Sequence, residues 1–80
     1  MNAREVLLEI LQNEYFIPLD KLKEENWDIP LTGKLFGLTG FELAELILEF
    51  EKRTEVQIDI HEKPMYALGS INDIVKSAQE

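Results

Sequence analysis

Residues 40–54 read GFELAELILEFEKRT, and this stretch decides the fold class. Leu43, Leu46, Ile47 and Phe50 fall at i, i+3, i+4 and i+7, the spacing that lines up side chains on one face of an α-helix. Glu42, Glu45 and Glu49 recur at three- and four-residue steps and share another face. Lys52 and Arg53 close the segment, where positive charge suits the C-terminal end of a helix dipole. Thr39 or Gly40 starts it, and both are acceptable caps. Phe41, Ala44 and Leu48 form a second apolar stripe offset from the first. A helix apolar on two sides is either buried twice or offers a patch to another molecule. Phe41 and Leu48 are thus expected either to pack beneath the segment that precedes them or to face a partner, with Glu42, Glu45 and Glu49 as an acidic rim.

Outward from this helix, the N-terminal stretch of about residues 3–15 has the same period. Val6, Leu7, Ile10 and Leu11 make its apolar face, Glu5, Glu9 and Gln12 its polar one, and Asn2 can cap it. Towards the C-terminus, Ser70 followed three residues later by Asp73 resembles a capping box, and Ile71, Ile74 and Val75 give a last helix over about 71–79. A shorter piece at 59–66 is limited by Pro64 to one or two turns.

Residues 15–38 have no period. They contain Pro18, Pro30, Gly33 and Gly37 among scattered apolar residues: Ile17, Leu19, Leu22, Trp27, Ile29, Leu31, Leu35 and Phe36. So many apolar side chains predict a long loop pinned across a helical core, with Trp27 as its anchor beside Pro30. Asp20 can cap a helical turn over 20–25. The reading is all-α: a bundle of three main helices plus one short helix, with a long first loop, in a single domain spanning 1–80.

Composition narrows the function. Sixteen acids against eight bases give a net charge of −8, which disfavours direct contact with nucleic acid or an anionic membrane. A protein partner with a basic docking surface fits better, since the long-range field would speed encounter. There is no cysteine, hence no disulfide framework, zinc–thiolate site or thiol nucleophile. No apolar run approaches the ~20 residues that span a bilayer. Acid falls inside the first helical pattern, without the apolar core of a signal peptide, and a cytoplasmic monomer is the expectation. His61 has only nearby acids such as Asp59 and Glu62 and reads as a solvated side chain. Neither a catalytic set nor a metal-ligand set converges, and Gly33, Gly37 and Gly40 lack the spacing of a phosphate-binding loop. The chain is not read as an enzyme.

The order of elements, together with residues 37–58 (GLTGFELAELILEFEKRTEVQI), resembles the acyl carrier protein family. Glu45-Leu46 matches the family's Glu-Leu pair, Phe50-Glu51 stands where Leu-Glu is usual, and Ile58 matches the closing isoleucine. The stretch 68–75 resembles the family's entry into its last helix. In that family an Asp-Ser-Leu triplet carries 4′-phosphopantetheine on its serine. The triplet falls here on Thr39-Gly40-Phe41. Gly40 has no oxygen to bear a phosphodiester, so the resemblance implies a degenerate member without the cofactor. Thr39 is the alternative hydroxyl, displaced by ~100° about the helix axis, and Thr32 and Ser70 lie further away. The resemblance extends to acyl-carrier-related proteins of bacterial peptide maturation systems. It implies a partner surface of Thr39, Gly40, Phe41, Glu42, Ala44, Glu45, Leu48 and Glu49, and an acyl-sheltering cavity that Phe41 or Leu35 would fill.

Overall fold

The computed structural model describes residues 2–58 and 68–79. Three α-helices run through them: α1, Ala3–Glu14; α2, Gly40–Thr54; and α3, Ile71–Gln79. No strand occurs among the described residues. The short helix expected at 59–66, and His61 with it, lie outside them.

Each helix starts where a polar side chain can accept an otherwise unpaired backbone N–H. Asn2 Oδ1 accepts from Glu5 N at 2.9 Å and begins α1. Thr39 Oγ1 accepts from Glu42 N at 3.0 Å, and the Glu42 carboxylate accepts from Thr39 N at 2.9 Å, a complete capping box on α2. Ser70 Oγ accepts from Asp73 N at 3.2 Å at the start of α3.

The core is where the helical stripes meet. Val6, Leu7, Ile10 and Leu11 of α1 span an arc of ~140° at ~100° per residue. The buried residues of α2 (Leu43, Leu46, Ile47 and Phe50) span only ~100°. The wider stripe lets α1 serve two neighbours, and it packs against both α2 and α3. Each apolar side chain fully removed from water here contributes roughly 2 kcal/mol.

The long first loop is pinned. Leu22, Leu31, Phe36 and Leu38 are buried in the core, and Trp27, Ile29 and Leu35 pack against it. Three hydrogen bonds tie the loop to the beginning of α3. Leu31 N donates to Gly69 O at 2.7 Å, Asn72 N to Trp27 O at 3.0 Å, and Asn72 Nδ2 to Asp28 Oδ1 at 2.8 Å. Trp27 is the anchor in two ways. Its Nε1–H donates to Leu22 O at 2.8 Å, and the Arg4 guanidinium of α1 lies 4.7 Å from its ring centroid.

Two loop expectations are corrected. The turn over 20–25 is replaced by separate 3₁₀ turns at Leu19–Lys21 and Glu24–Asn26, capped at Pro18 and Lys23 without side-chain bonds. Asp20 is not the cap, because Pro18 already holds the extended geometry that a cap needs (φ −64°, ψ 148°). Leu19 is exposed instead of pinned, since the turn it opens directs it away from the core.

Both long helices end on a left-handed residue that is not glycine: Phe16 (φ 55°) just after α1 and Glu55 (φ 59°) just after α2. After α1, Ile17 N donates back to Leu11 O at 3.1 Å, so the reversal at Phe16 turns Ile17 into the core. After α2, Ile58 N donates to Glu51 Oε2 at 2.8 Å. A side chain in the left-handed region costs roughly 1–2 kcal/mol that glycine does not incur, offset in part by glycine's larger unfolded-state entropy. Replacing the exposed Glu55 by glycine is therefore expected to stabilise the protein by about 0.5–1 kcal/mol. Thermal denaturation should show a rise of a few degrees in Tm; a fall would mean that the Glu55 side chain holds the end of α2 in place.

Candidate docking surface

The outer face of α2 owes its exposure to helical phase. At ~100° per residue, Phe41 and Leu48 lie roughly 150–170° from the centre of the buried stripe. Phe41 is 75% exposed and Leu48 63%. The first loop, tied to the start of α3, does not cover them. Of the two readings open from sequence, packing beneath the loop is overturned for both residues. Phe41 also cannot fill a cavity under that loop, because its side chain points to solvent. Ala44 is half-buried at the edge of the face.

The three rim acids turn out to differ in their commitments. Glu42 is half-buried, and its carboxylate closes the capping box. Glu49 accepts from Arg53 Nε at 3.4 Å. Arg53 also meets Glu14 Oε2 at 3.2 Å and Glu9 Oε1 at 4.0 Å, clamping α1 to α2. Such exposed pairs contribute about 0.5 kcal/mol each. Glu45 alone of the three is exposed and has no ion-pair partner among the described residues. Lys52 joins this face, lining a shallow depression of about 260 Å³ with Glu45, Leu48 and Glu49. The dipole accounts for Lys52 at the end of α2, and its spacing of four from Leu48 is the sequence signal that puts it on this face as well.

Tyr15 connects the face to α1. Its hydroxyl donates to Glu42 O at 3.3 Å. Burial raises its pKa above the usual tyrosine value, helped by the negative charges of Glu45, Glu14, Glu42 and Glu49.

Around the corner, Gly40 opens onto a groove of about 430 Å³ between the starts of α2 and α3, with Leu43 in its wall and Asp28, Thr32, Ser70 and Asp73 on its polar sides. A Cβ built on Gly40 would meet nothing within 4 Å, so a serine fits there without displacing a neighbour. Thr39 is exposed, and its oxygen serves as the helix cap. Thr32 and the buried Ser70 line the groove, Ser70 with its oxygen also engaged as a cap. Among the described residues no group of three or more histidine, cysteine or acidic side chains is placed to hold a metal ion. No helix among them is long and apolar enough to cross a membrane.

The fold and the face together define a small all-α protein carrying an apolar surface with an acidic edge. No protein-family model, curated protein or solved structure matches the chain.

The environment of Tyr15 sets an alkaline limit. A tyrosine pKa raised in the folded state means that the folded protein holds this proton more tightly than the unfolded chain does. The resulting stability is full below the unfolded value near 10 and is lost as pH rises through the folded value. Melting temperature measured from pH 9 to 12 should fall more steeply for the native protein than for Tyr15→Phe. Parallel curves would show that the tyrosine proton does not contribute.

Proposed function

We propose that this chain is an acyl-carrier-like protein without a prosthetic arm, acting as an acidic docking partner for an enzyme of a biosynthetic pathway, with peptide modification as the pathway class that its resemblance suggests. The observation that carries the reading is the exposure of Phe41 (75%) and Leu48 (63%) on the far side of a helix whose other large apolar residues are buried. An apolar centre with an unpaired acid beside it suits a partner groove edged by lysine or arginine, where the apolar pair supplies contact area and Glu45 supplies steering. Glu42 and Glu49 add negative potential from their structural positions.

The groove beside Gly40 lies where the resemblance would put the arm, but the residues present do not fit a phosphodiester. Gly40 has no hydroxyl. Esterifying Thr39 would weaken the oxygen that accepts the Glu42 N–H, at a cost of about 1 kcal/mol in helix capping. Nothing around Gly40 obstructs a side chain, which makes the loss of the serine a chemical difference and not a steric one.

Intact mass after incubation with coenzyme A and a broad-specificity phosphopantetheinyl transferase tests both halves of the proposal. The native protein should stay unmodified while Gly40→Ser gains the arm. In the Gly40→Ser background, Leu48→Asp and Glu45→Lys should each slow loading at least tenfold, because the transferase would meet the same face. Modification of the native protein would overturn the armless reading, and peptide mapping would then show whether Thr39 carries the group. Equal loading rates in all variants would overturn the docking face.

A further inference from the structure

Phe16, Leu19, Phe41 and Leu48 are large apolar side chains left exposed, and the last two belong to an ordered row on α2. Phe41, Glu45, Leu48 and Lys52 follow one another at steps of four, three and four, the rhythm of a seam along which one helix packs against another. At ~100° per residue the four lie within ~60° of each other. Glu45 and Lys52 are exposed, and neither has an ion-pair partner among the described residues. Opposite in sign, they stand three residues before Leu48 and four after it. Beyond Leu48 lies a further depression of about 490 Å³, with Leu48, Lys52, Glu55 and Val56 in its lining.

This row is its own complement when reversed. Two such faces laid antiparallel bring Leu48 against Leu48, Glu45 against Lys52, and Phe41 against the depression at Val56, with the last two contacts made twice. Laid parallel, they bring Glu45 to Glu45 and Lys52 to Lys52, and like charges oppose the pair. We propose that this face is an interface between two copies of the chain, an isologous antiparallel dimer centred on Leu48, with Glu45 of each copy paired to Lys52 of the other.

The net charge of −8 opposes association at long range and favours the monomer expected from sequence. Salt screens that repulsion beyond ~8 Å at physiological ionic strength, so the charges at the seam decide. Glu49 is engaged with Arg53 and Glu51 with Ile58 N, which leaves Glu45 and Lys52 to set the pairing. A single helix face belongs to the small interfaces, below ~1,200 Å², so the dimer is weak and depends on concentration. It goes beyond the enzyme partner proposed above: the second copy shields Phe41 and Leu48 until that partner displaces it.

Sedimentation equilibrium of the whole protein at ~0.15 M salt, up to ~1 mM protein, should show monomer and dimer in exchange. Glu45→Lys and Lys52→Glu should each weaken the dimer roughly tenfold or more, since each sets like charges opposite one another at two points. Glu45→Lys also moves the net charge towards zero, so repulsion between whole molecules alone would strengthen association. The variant with both exchanges should recover the native affinity, and thermal melts check that all three variants fold. A native protein that stays monomeric throughout, or one affinity shared by the native, single and double variants, would overturn the proposal. Neither outcome bears on the enzyme-docking reading, which the loading rates in the Gly40→Ser background decide separately.

Discussion

The joint between the first loop and the start of α3 governs the rest of the structure. A helix of nine residues is too short to persist in water without support. α3 forms because α1 covers its apolar side and the loop covers its beginning, through the bond from Leu31 N to Gly69 O and the two bonds at Asn72. The same bonds fix the loop. Leu31 is fully buried beside them, and Trp27, held by Arg4 and by Leu22 O, keeps the preceding turns in place. The loop cannot lie along the outer face of α2 while it is tied to α3. Helical phase turns Phe41 and Leu48 outward, and the loop, tied to α3, leaves them uncovered.

The acidic character of the protein divides into structural and outward-facing parts. Glu42 closes a capping box, Glu51 accepts the Ile58 N–H, and Glu9, Glu14 and Glu49 gather around Arg53. Glu45 remains available to a partner. A charge count alone would weigh these carboxylates equally, yet only those without internal bonds can change partners at little cost. Tyr15 sits among the committed ones and binds α1 to the first turns of α2, so the face and the core share a residue.

The two exposed apolar regions differ in how they arise. On α2 the exposure is a matter of helical phase, and the backbone beneath it is regular. At Phe16 the backbone itself is unfavourable for the residue it carries. The first is a surface that any amphipathic helix could offer. The second is a local conflict between residue type and conformation, of the kind that Glu55 also shows after α2.

Sequence alone determined the three helices, the caps at Asn2 and Ser70, and the buried stripes, because these rest on short-range periodicity and local hydrogen bonds, while the structure decided for Thr39 over Gly40 as the cap of α2. It also put Phe41, Ala44 and Leu48 on one stripe. It could not settle whether that stripe was covered, since cover depends on the course of an aperiodic loop fixed by contacts more than thirty residues apart, such as Leu31 with Gly69. Composition predicts a pinned loop, but the 3₁₀ geometry decides that Leu19 turns outward and that the turn starts at Pro18 and not at Asp20. The left-handed backbone at Phe16 is not legible in the sequence, because few residue types other than glycine and asparagine signal one. Periodicity fixes which side chains share a face, and only the tertiary structure decides what each face meets.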